Sequence, residues 1–403
     1  MSGVSPARRV AYEVVRRVFE EDAYADRAFR SVARELDARE RAFAQQLAYG
    51  TVQRLRPLDH AIDTLGRRPV RKLDPAVRAA LRLGAYQLAY LDVAPHAAAN
   101  ESVELVREAR LERAVPFTNA VMRRLAEGIH SLLDALPEGP LKHSYPEWVW
   151  DVWRRDFGDA EALALMRAQN EPLETVVRLV RGELDGEETD VPGAFRVARV
   201  DERALAGGRI WPQSRASQVA ALAVGARDGE RILDSCAAPG GKATMLRGDV
   251  TAVEVNDDRA RELEDNARRL GATNVTVVRA DATDLPPELD GFDRALVDAP
   301  CSGLGVLGRR PDLRWRARPL PGLQLALLGS AAARLRPGGT LVYAVCTLNA
   351  DENEAVVDAS GLHVEATLAD EWPRYRHPRR PEFLLTRPDV HGTSGFFIAR
   401  LTV

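Results

Sequence analysis

The chain has 403 residues, of which 45% are hydrophobic and 29% charged, and its formal net charge is −3. This composition is typical of folded globular proteins and argues against disorder, and the length allows two or three domains. No stretch approaches the roughly 20 apolar residues of a membrane span, and the N-terminus lacks the apolar region of an export signal. Three cysteines, an odd number, argue against a disulfide framework. We therefore expect a cytoplasmic protein without membrane contact.

Residues 1–130 are predicted to form an all-α domain. Val10, Val14 and Val18 recur at helical spacing, and the same period follows Pro75, a favourable residue for a first helical turn. The segment has 22 Lys and Arg against 17 Asp and Glu, so it is basic while the rest of the chain is acidic. For any single arginine here, a merely solvated helix face remains the simpler interpretation.

Residues 131–225 are predicted to hold a linker and a small subdomain of mixed helical and α+β structure. The stretch EGPLKHSYPEW near residues 138–148 contains two prolines and a glycine, which favours a linker. Helical patterns follow, and after them come two short strand-like runs, ETVVRLVRG and FRVARV.

Residues 226–403 are predicted to form a doubly wound α/β domain with a mostly parallel sheet. Short β-rich runs alternate with turns and helical segments, which is the pattern of such sheets. The runs are RILDS, TAVEV, NVTVVRA, FDRALVDA and GTLVYAV.

The first of these strands continues into CAAPGGKATML, where we expect a Gly-Gly turn that opens a helix and exposes backbone N–H groups to a ligand. The turn matches neither a Walker A sequence nor GxGxxG, so a plain strand-to-helix turn is an equal alternative. Acids at the ends of the next three strands add specificity: Glu254 follows the second, Asp281 the third and Asp298 the fourth. A carboxylate just past the third strand is typical of S-adenosylmethionine sites.

Two thiols lie just beyond predicted strands, Cys301 in DAPCS and Cys346 in YAVCT. Because the carboxyl ends of parallel strands build the sites of α/β sheets, both thiols are candidates for one pocket. The histidines show no HxxxH pair and the cysteines no CxxC pair, so no metal is expected. A disulfide is disfavoured in a reducing compartment, and packing as small buried hydrophobes remains the main alternative.

Three stretches of this domain, DSCAAPGGKAT, VDAPCSGLGVLGRRPDLRW and YAVCTLNADENEAVV, resemble motifs of the RNA cytosine-5 methyltransferase family. In residues 1–130, LRLGAYQLAYLDVAPHAAANESVELVRE and PFTNAVMRRL resemble the NusB-like RNA-binding domain fused to one bacterial branch of that family. The resemblance covers most of the chain. It implies a Rossmann-like class I methyltransferase domain that uses S-adenosylmethionine, with 16S ribosomal RNA of the small subunit as partner.

The resemblance also implies which residues bind the cofactor. They are Cys236, Ala237, Ala238, Pro239, Gly240, Gly241, Lys242, Glu254, Asp281 and Asp298. For Lys242 two interpretations stay open: a solvated lysine at a helix start, or a contact with the acids or with one end of the site.

Methylation of cytosine C5 requires prior addition of a nucleophile to C6, and a thiolate both attacks and leaves well. An acid near N3 must stabilise the charge that develops there, a role suited to Asp298. The residues alone do not choose between the two thiols. The resemblance implies that Cys346 attacks and that Cys301 assists breakdown of the adduct, although Val345 and Thr347 flank Cys346 where the family usually has Thr and Ser.

Arg309, Arg310 and Trp315 follow the Cys301 turn and are candidates for phosphate and base-stacking contacts with RNA. Surface arginines and a core tryptophan are the equally weighted alternative. The target base is expected to be unstacked to reach the pocket. We expect a monomer.

Two other functions remain in view. One is a cytosine-5 methyltransferase acting on another nucleic acid, such as tRNA or DNA. The other is a non-catalytic RNA-binding assembly factor, which would have no reason to keep both thiols, Asp298 and the Gly-Gly-Lys turn.

Overall fold

The structure is a computed structural model, and it describes residues 3–403. Residue contacts divide the chain into two compact units. The first unit extends to Asn170 and also includes Leu307–Arg316, and the second comprises Glu171–Val306 and Ala317–Val403. The division at residues 130 and 225 drawn from the sequence stays a prediction.

The α-helices of the two units are, in chain order, α1 (Pro6–Glu20), α2 (Ala25–Val32), α3 (Ala38–Gln53), α4 (Leu55–Gly66), α5 (Pro75–Tyr90), α6 (Pro95–Glu108), α7 (Val115–Asp134), α8 (Pro140–His143), α9 (Glu147–Phe157), α10 (Asp159–Ala168), α11 (Glu202–Ala206), α12 (Arg215–Leu222), α13 (Asp257–Leu270), α14 (Leu313–Arg316), α15 (Pro321–Ala332), α16 (Glu354–Ser360), α17 (Leu368–Glu371) and α18 (Pro388–His391). The strands are β1 (Val176–Leu179), β2 (Glu187–Glu188), β3 (Ala194–Arg196), β4 (Ile210–Pro212), β5 (Arg231–Asp234), β6 (Asp249–Val253), β7 (Val275–Val278), β8 (Phe292–Asp298), β9 (Leu335–Val345), β10 (His363–Val364), β11 (Leu384–Thr386) and β12 (Phe396–Thr402).

The first unit is helical, as predicted for residues 1–130. Helix α5 shows why: the side chain of Asp74 accepts a hydrogen bond from the amide of Ala76, and Pro75 occupies the first turn. The apolar faces of these helices meet in one core, in which Val14 and Leu81 are fully buried. The predicted linker at 138–148 contains the short helix α8 and the start of α9.

The segment Leu307–Arg316 returns to this helical unit through two buried anchors. The Trp315 indole N–H donates to the carbonyl of Val52 at 2.7 Å, and its ring packs against the helical core. Arg314 is fully buried, and its guanidinium lies 4.0 Å from the ring centroid of Tyr145. It donates to four main-chain carbonyls, those of Gln53, His143, Ser144 and Gln169. Burial lowers the pKa of Arg314 to about 10.

The second unit contains two sheets. The smaller sheet is antiparallel with strand order β2-β3-β1-β4, and it includes both strand-like runs predicted before residue 201. The larger sheet has the order β10-β12-β9-β8-β5-β6-β7, with β11 paired to β12. Its strands β5 to β9 are parallel, whereas β10, β11 and β12 pair antiparallel. This arrangement confirms the predicted mostly parallel, doubly wound fold.

One predicted element is wrong. No α-helix opens at the Gly-Gly turn after β5; a single 3-10 turn, Ala243–Met245, takes its place. Residues 235–242 form the turn itself, and β6 begins at Asp249, so the intervening residues are too few for a helix that spans the sheet.

Strand β5 lies between β6 and β8, so the chain winds outward from it in both directions. The crevice at the carboxyl ends of the strands flanking such a switch point is where open α/β sheets bind ligands. Asp234 ends β5, Asp298 ends β8 and Val345 ends β9. The candidate site therefore lies at this edge.

Removal of the buried guanidinium of Arg314 should lower the stability of the first unit. Arg314→Ala leaves several buried carbonyls without their donor, and we expect the free energy of unfolding to fall by about 3 kcal/mol or more. Urea denaturation followed by far-UV circular dichroism measures this loss. Arg9→Ala, which removes a half-exposed arginine paired with Glu108, is the matched control and should cost at most about 1 kcal/mol. Equal losses in the two variants would contradict the role given to Arg314.

Candidate active site

The turn after β5 is held in place by side chains of α13. Arg259 donates to the carbonyl of Ala238 at 2.8 Å, and Asn266 donates to the carbonyl of Pro239 at 2.9 Å. With their oxygens engaged by the helix, these peptide groups keep a defined orientation at the edge of the sheet.

Two glycines allow the turn to lie close to its neighbours. Gly240 has a φ of +101°, and a Cβ there would lie 2.6 Å from the side chain of Leu263. A Cβ on Gly241 would lie 2.8 Å from the indole nitrogen of Trp211. A larger residue at either position would displace the turn, so the close packing explains the Gly-Gly pair.

Glu254 directly follows β6 and is 6% exposed. Its Oε1 accepts a hydrogen bond from the amide of Asn256 at 3.0 Å, and its Oε2 lies 3.4 Å from the guanidinium of Arg259. A buried carboxylate at a strand end, oriented by two neighbours, is suited to accept hydrogen bonds from ligand hydroxyls.

Asp281 lies beyond the end of β7. Its Oδ1 accepts hydrogen bonds from the hydroxyl and the amide of Thr283, at 2.7 and 2.9 Å. These two bonds lower the pKa of Asp281, so the side chain is an anion at neutral pH.

Lys242 pairs with the acid that ends β8. Its Nζ lies 2.6 Å from Oδ2 of Asp298 and 5.2 Å from the ring centroid of Phe396. The sequence left open whether Lys242 is solvated or contacts the acids. The structure places it against Asp298. The partly buried ion pair brings a cation to the edge of the sheet beside the thiols.

Asp234 is a buried acid of this edge that the sequence analysis did not select. It is 1% exposed, and within residues 3–403 neither of its carboxyl oxygens has a hydrogen-bond partner. Burial, and then the neighbouring charge of Asp298, raise the pKa of Asp234 to about 7, while Lys242 and the nearby amide of Cys236 oppose the shift. The signal that could have found it is the one used for the other acids, an acid at the end of a strand.

The two candidate thiols come together. The Sγ atoms of Cys301 and Cys346 are 3.4 Å apart, which is hydrogen-bond distance for sulfur, and both side chains are partly exposed. Cys346 directly follows β9, and Cys301 comes three residues after the end of the adjacent β8. Pairing of these strands therefore produces the proximity.

The environments of the thiols differ. The hydrogen bond from Cys301, and to a smaller extent the charge of Lys242, lower the pKa of Cys346 against the opposing effects of burial and Asp298. The same hydrogen bond, burial and the negative charge of Glu352 raise the pKa of Cys301. Burial and three nearby carboxylates also raise the pKa of Cys236. Cys346 is therefore the thiol most readily present as the reactive thiolate.

The three residues considered for RNA contacts, Arg309, Arg310 and Trp315, lie in the segment that belongs to the first unit. The indole of Trp315 is engaged by Val52 and the helical core, as described above. The guanidinium of Arg310 lies 5.5 Å from the ring centroid of Tyr24 and 3.6 Å from Asp26. Their contacts with RNA stay a prediction.

Across residues 3–403, no three or more His, Cys, Asp or Glu side chains are grouped so that they could hold a metal ion. In the same part of the chain, no helix is both long and apolar enough to cross a membrane.

A parallel sheet with a glycine turn and carboxylates at its switch point defines the class of Rossmann-like methyltransferases. Two solved structures have a related fold. The crystal structure of PH0851 covers 99% of this chain and 99% of its own, with a TM-score of 0.80 and 23% identity. A methyltransferase homolog protein from Pyrococcus horikoshii covers 65% of this chain and 97% of its own, with a TM-score of 0.55 and 26% identity.

Family models match in both parts of the chain, 16S rRNA methyltransferase RsmB/F over residues 221–402 and the NusB family over residues 5–127. A probable ribosomal RNA small subunit methyltransferase B from Synechocystis sp. is 33% identical, covering 98% of this chain and 99% of its own. The chain belongs to the RsmB/F family of 16S rRNA methyltransferases and carries an N-terminal NusB domain.

The buried carboxyl of Asp234 predicts a pH-dependent stability. Its folded pKa of about 7 lies above the ordinary aspartate value of 3.8, so the folded state binds the proton more tightly. This contribution to stability is complete below pH 3.8 and is lost as pH rises through about 7. We expect the wild type to lose roughly 4 kcal/mol more than Asp234→Asn between pH 4 and pH 8.

Urea denaturation at both pH values, without cofactor, measures that difference. Asp249→Asn, at the exposed start of the neighbouring β6, is the control and should keep the wild-type pH dependence. An Asp234→Asn variant with the same dependence would show that the buried carboxyl is not protonated on folding.

The order of thiol reactivity is a second expectation. At pH 7 iodoacetamide should modify Cys346 before Cys301 and Cys236, because only the thiolate reacts. Lys242→Met removes the cation that lowers the pKa of Cys346 and should slow its modification by about threefold to tenfold. Mass spectrometry of tryptic peptides gives the rates. Lys142→Met, which removes a lysine paired with Glu138 in the first unit, should leave them unchanged.

Proposed function

We propose that this protein transfers the methyl group of S-adenosylmethionine to C5 of a cytosine in small-subunit ribosomal RNA, through a covalent adduct between Cys346 and cytosine C6. The observation that carries the proposal is the 3.4 Å thiol pair beside the Lys242–Asp298 ion pair at the switch point of the sheet. Family membership and the NusB domain support ribosomal RNA as the substrate.

The described residues fit the cofactor. The turn 236–242 comes close enough to its neighbours that only glycine is accommodated at Gly240 and Gly241. Within the described residues the buried carboxyl oxygens of Asp234 lack hydrogen-bond partners, and a positively charged ligand would supply them. In the proposal, the turn binds the methionine part, Glu254 accepts from the ribose hydroxyls, and Asp281 accepts from the adenine amino group. S-adenosylmethionine supplies an electrophilic methyl group on a sulfonium.

The first step is attack by Cys346. Its lowered pKa provides the thiolate, which adds to C6 of the cytosine and forms a C–S bond. The electron pair displaced from the C5–C6 double bond moves toward N3, which takes up a proton that it shares with Asp298. Asp298 holds this edge of the base, and the ammonium of Lys242 behind it balances the charge.

The second step makes the new C–C bond. C5, now enamine-like, attacks the methyl group as the bond between that carbon and the sulfonium sulfur breaks and the neutral thioether leaves, and the C5 proton then passes to a base. Elimination breaks the C6–S bond and restores the aromatic ring, with N3 losing its proton. Cys301 assists this release, since its raised pKa keeps it a thiol that donates to the departing Cys346 sulfur at 3.4 Å. Arg309, Arg310 and Trp315 complete the proposal as contacts with the RNA.

The decisive experiment measures transfer of labelled methyl groups to small-subunit RNA. Cys346→Ala should reduce the rate by at least about 10⁴-fold, because it removes the nucleophile. Cys301→Ala should accumulate a protein–RNA adduct that withstands denaturing electrophoresis, because release is impaired. Cys236→Ala, which removes the third thiol, is the matched control and should form no such adduct.

The modified base should be a cytosine carrying the label at C5, as shown by digestion and mass spectrometry. Full activity of Cys346→Ala would overturn the roles of the thiols. Transfer to tRNA but not to small-subunit RNA would overturn the substrate, and transfer to no RNA would favour a binding factor.

A further inference from the structure

Glu352 is a buried carboxylate in the loop between β9 and α16, and none of the reaction steps above uses it. Its side chain is fully buried. Within the described residues no Lys or Arg pairs with it, and all of its partners are neutral donors. A charge taken out of water without a counter-ion requires many hydrogen bonds, and Glu352 has them.

The two oxygens of Glu352 receive donors from several loops and from helix α15. Oε1 accepts from the amides of Ser302 and Leu320 at 2.9 and 3.1 Å, and from Nε2 of Gln324 at 2.9 Å. Oε2 accepts from the hydroxyl of Ser302 and from Nδ2 of Asn349, the latter at 3.2 Å. The carboxylate therefore links, through hydrogen bonds, the loop that carries Cys301 and the loop that follows β9.

The residues that follow the two cysteines meet beside this carboxylate. Ser302 follows Cys301, Thr347 follows Cys346, and their hydroxyl oxygens are 2.7 Å apart. The Ser302 hydroxyl donates to Oε2 of Glu352, and the Thr347 hydroxyl lies within hydrogen-bond distance of both the Ser302 oxygen and, at 3.4 Å, the same Oε2. One chain of hydrogen bonds thus links both thiol-bearing loops to one acid.

Main-chain contacts also hold the same loops together. The amide of Gly305 donates to the carbonyl of Cys346 at 3.0 Å, and the amide of Gly395 donates to the carbonyl of Gly305 at 2.8 Å. The main chain of Glu352 is itself fixed, because the hydroxyl of Tyr343 on β9 donates to its carbonyl at 2.7 Å. The position of the carboxylate is therefore well defined.

We infer that Glu352 is a positioning residue that sets the distance and orientation of the two thiols and determines which of them attacks. The inference rests on the proposed function. Within residues 3–403 Glu352 makes no hydrogen bond to either sulfur; it acts through Ser302 and Thr347. Its charge also contributes to the difference between the thiols, because it raises the pKa of Cys301, whereas Asp298 and Lys242 are the charges that act on Cys346.

Two substitutions separate geometry from charge. Glu352→Gln keeps the size but removes the charge and places an amide N–H₂ toward donors. Glu352→Asp keeps the charge but withdraws it by one methylene from Ser302. The matched control is Glu354→Gln, two residues further on, which removes a carboxylate paired with the buried His377 at 2.8 Å. Circular dichroism and urea denaturation establish that each variant is folded.

The first measurement is the pH dependence of iodoacetamide modification, which requires neither RNA nor cofactor. In Glu352→Gln the rate ratio of Cys346 to Cys301 should fall by about tenfold, because Cys301 ionises more easily. Glu352→Asp should largely retain the wild-type ratio, and Glu354→Gln should match the wild type. An unchanged ratio in Glu352→Gln would overturn the inference.

The second measurement uses small-subunit RNA containing 5-fluorocytosine with S-adenosylmethionine. Fluorine cannot leave C5 as a proton does, so an enzyme of the proposed type stays covalently attached. Both Glu352 variants should trap about 10²-fold more slowly than the wild type, with KM for RNA changed less than about threefold, since a misplaced nucleophile affects the chemical step. If Glu354→Gln slowed trapping as much as the Glu352 variants do, the effect of Glu352 would be a general structural one and the inference would be wrong.

The outcomes distinguish the two claims. Absence of trapping by the wild type would overturn the proposed function, while the modification ratio would still test Glu352. Should Glu352→Gln not fold, Thr347→Val removes the 2.7 Å hydroxyl link while keeping the side-chain shape. It should slow trapping by about tenfold. A Thr347→Val variant that traps at the wild-type rate would then overturn the inference.

Discussion

Parallel pairing of β5, β8 and β9 is the constraint on which the rest of the site depends. Each strand delivers its last residues to the same edge of the sheet, and the spacing of neighbouring strands brings side chains from distant parts of the sequence within contact distance. Asp298 at the end of β8 meets Lys242 from the turn after β5, and Cys346 after β9 meets Cys301 after β8.

Several ionisable groups lie close together at this edge with little access to solvent, and the neighbours of each group determine its protonation state. Asp298 pairs with an ammonium, and Glu352 receives neutral donors from loops and from α15. For Asp234, burial and the charge of Asp298 outweigh the opposing effects of Lys242 and the amide of Cys236, so its pKa rises. The thiols follow the same logic. Cys346 lies on the side of Lys242 and Cys301 on the side of Glu352, and this asymmetry supports the roles proposed for them.

Much of the architecture could be predicted because it depends on local pattern. The β-rich runs coincide with β5 to β9, since short apolar runs between turns leave few alternatives. The helix expected at the Gly-Gly turn was wrong, because the chain has too few residues there before β6. The sequence did not predict that Leu307–Arg316 packs in the helical unit, because Arg314 and Trp315 bind carbonyls more than a hundred residues away in sequence.

The sequence by itself determined the fold class, the family and the acids and thiols at the strand ends, because these follow from residue order and periodicity. It also offered Asp234, which ends a strand as the selected acids do, although this acid was not selected. It could not single out Glu352, because an acid in a loop shows nothing of its burial or its partners. Only the tertiary structure decided that the thiols are 3.4 Å apart, that Lys242 pairs with Asp298, and that Ser302 and Thr347 share one carboxylate. The physical reason is that distance, desolvation and charge balance arise between residues that are far apart in the chain and become neighbours only on folding.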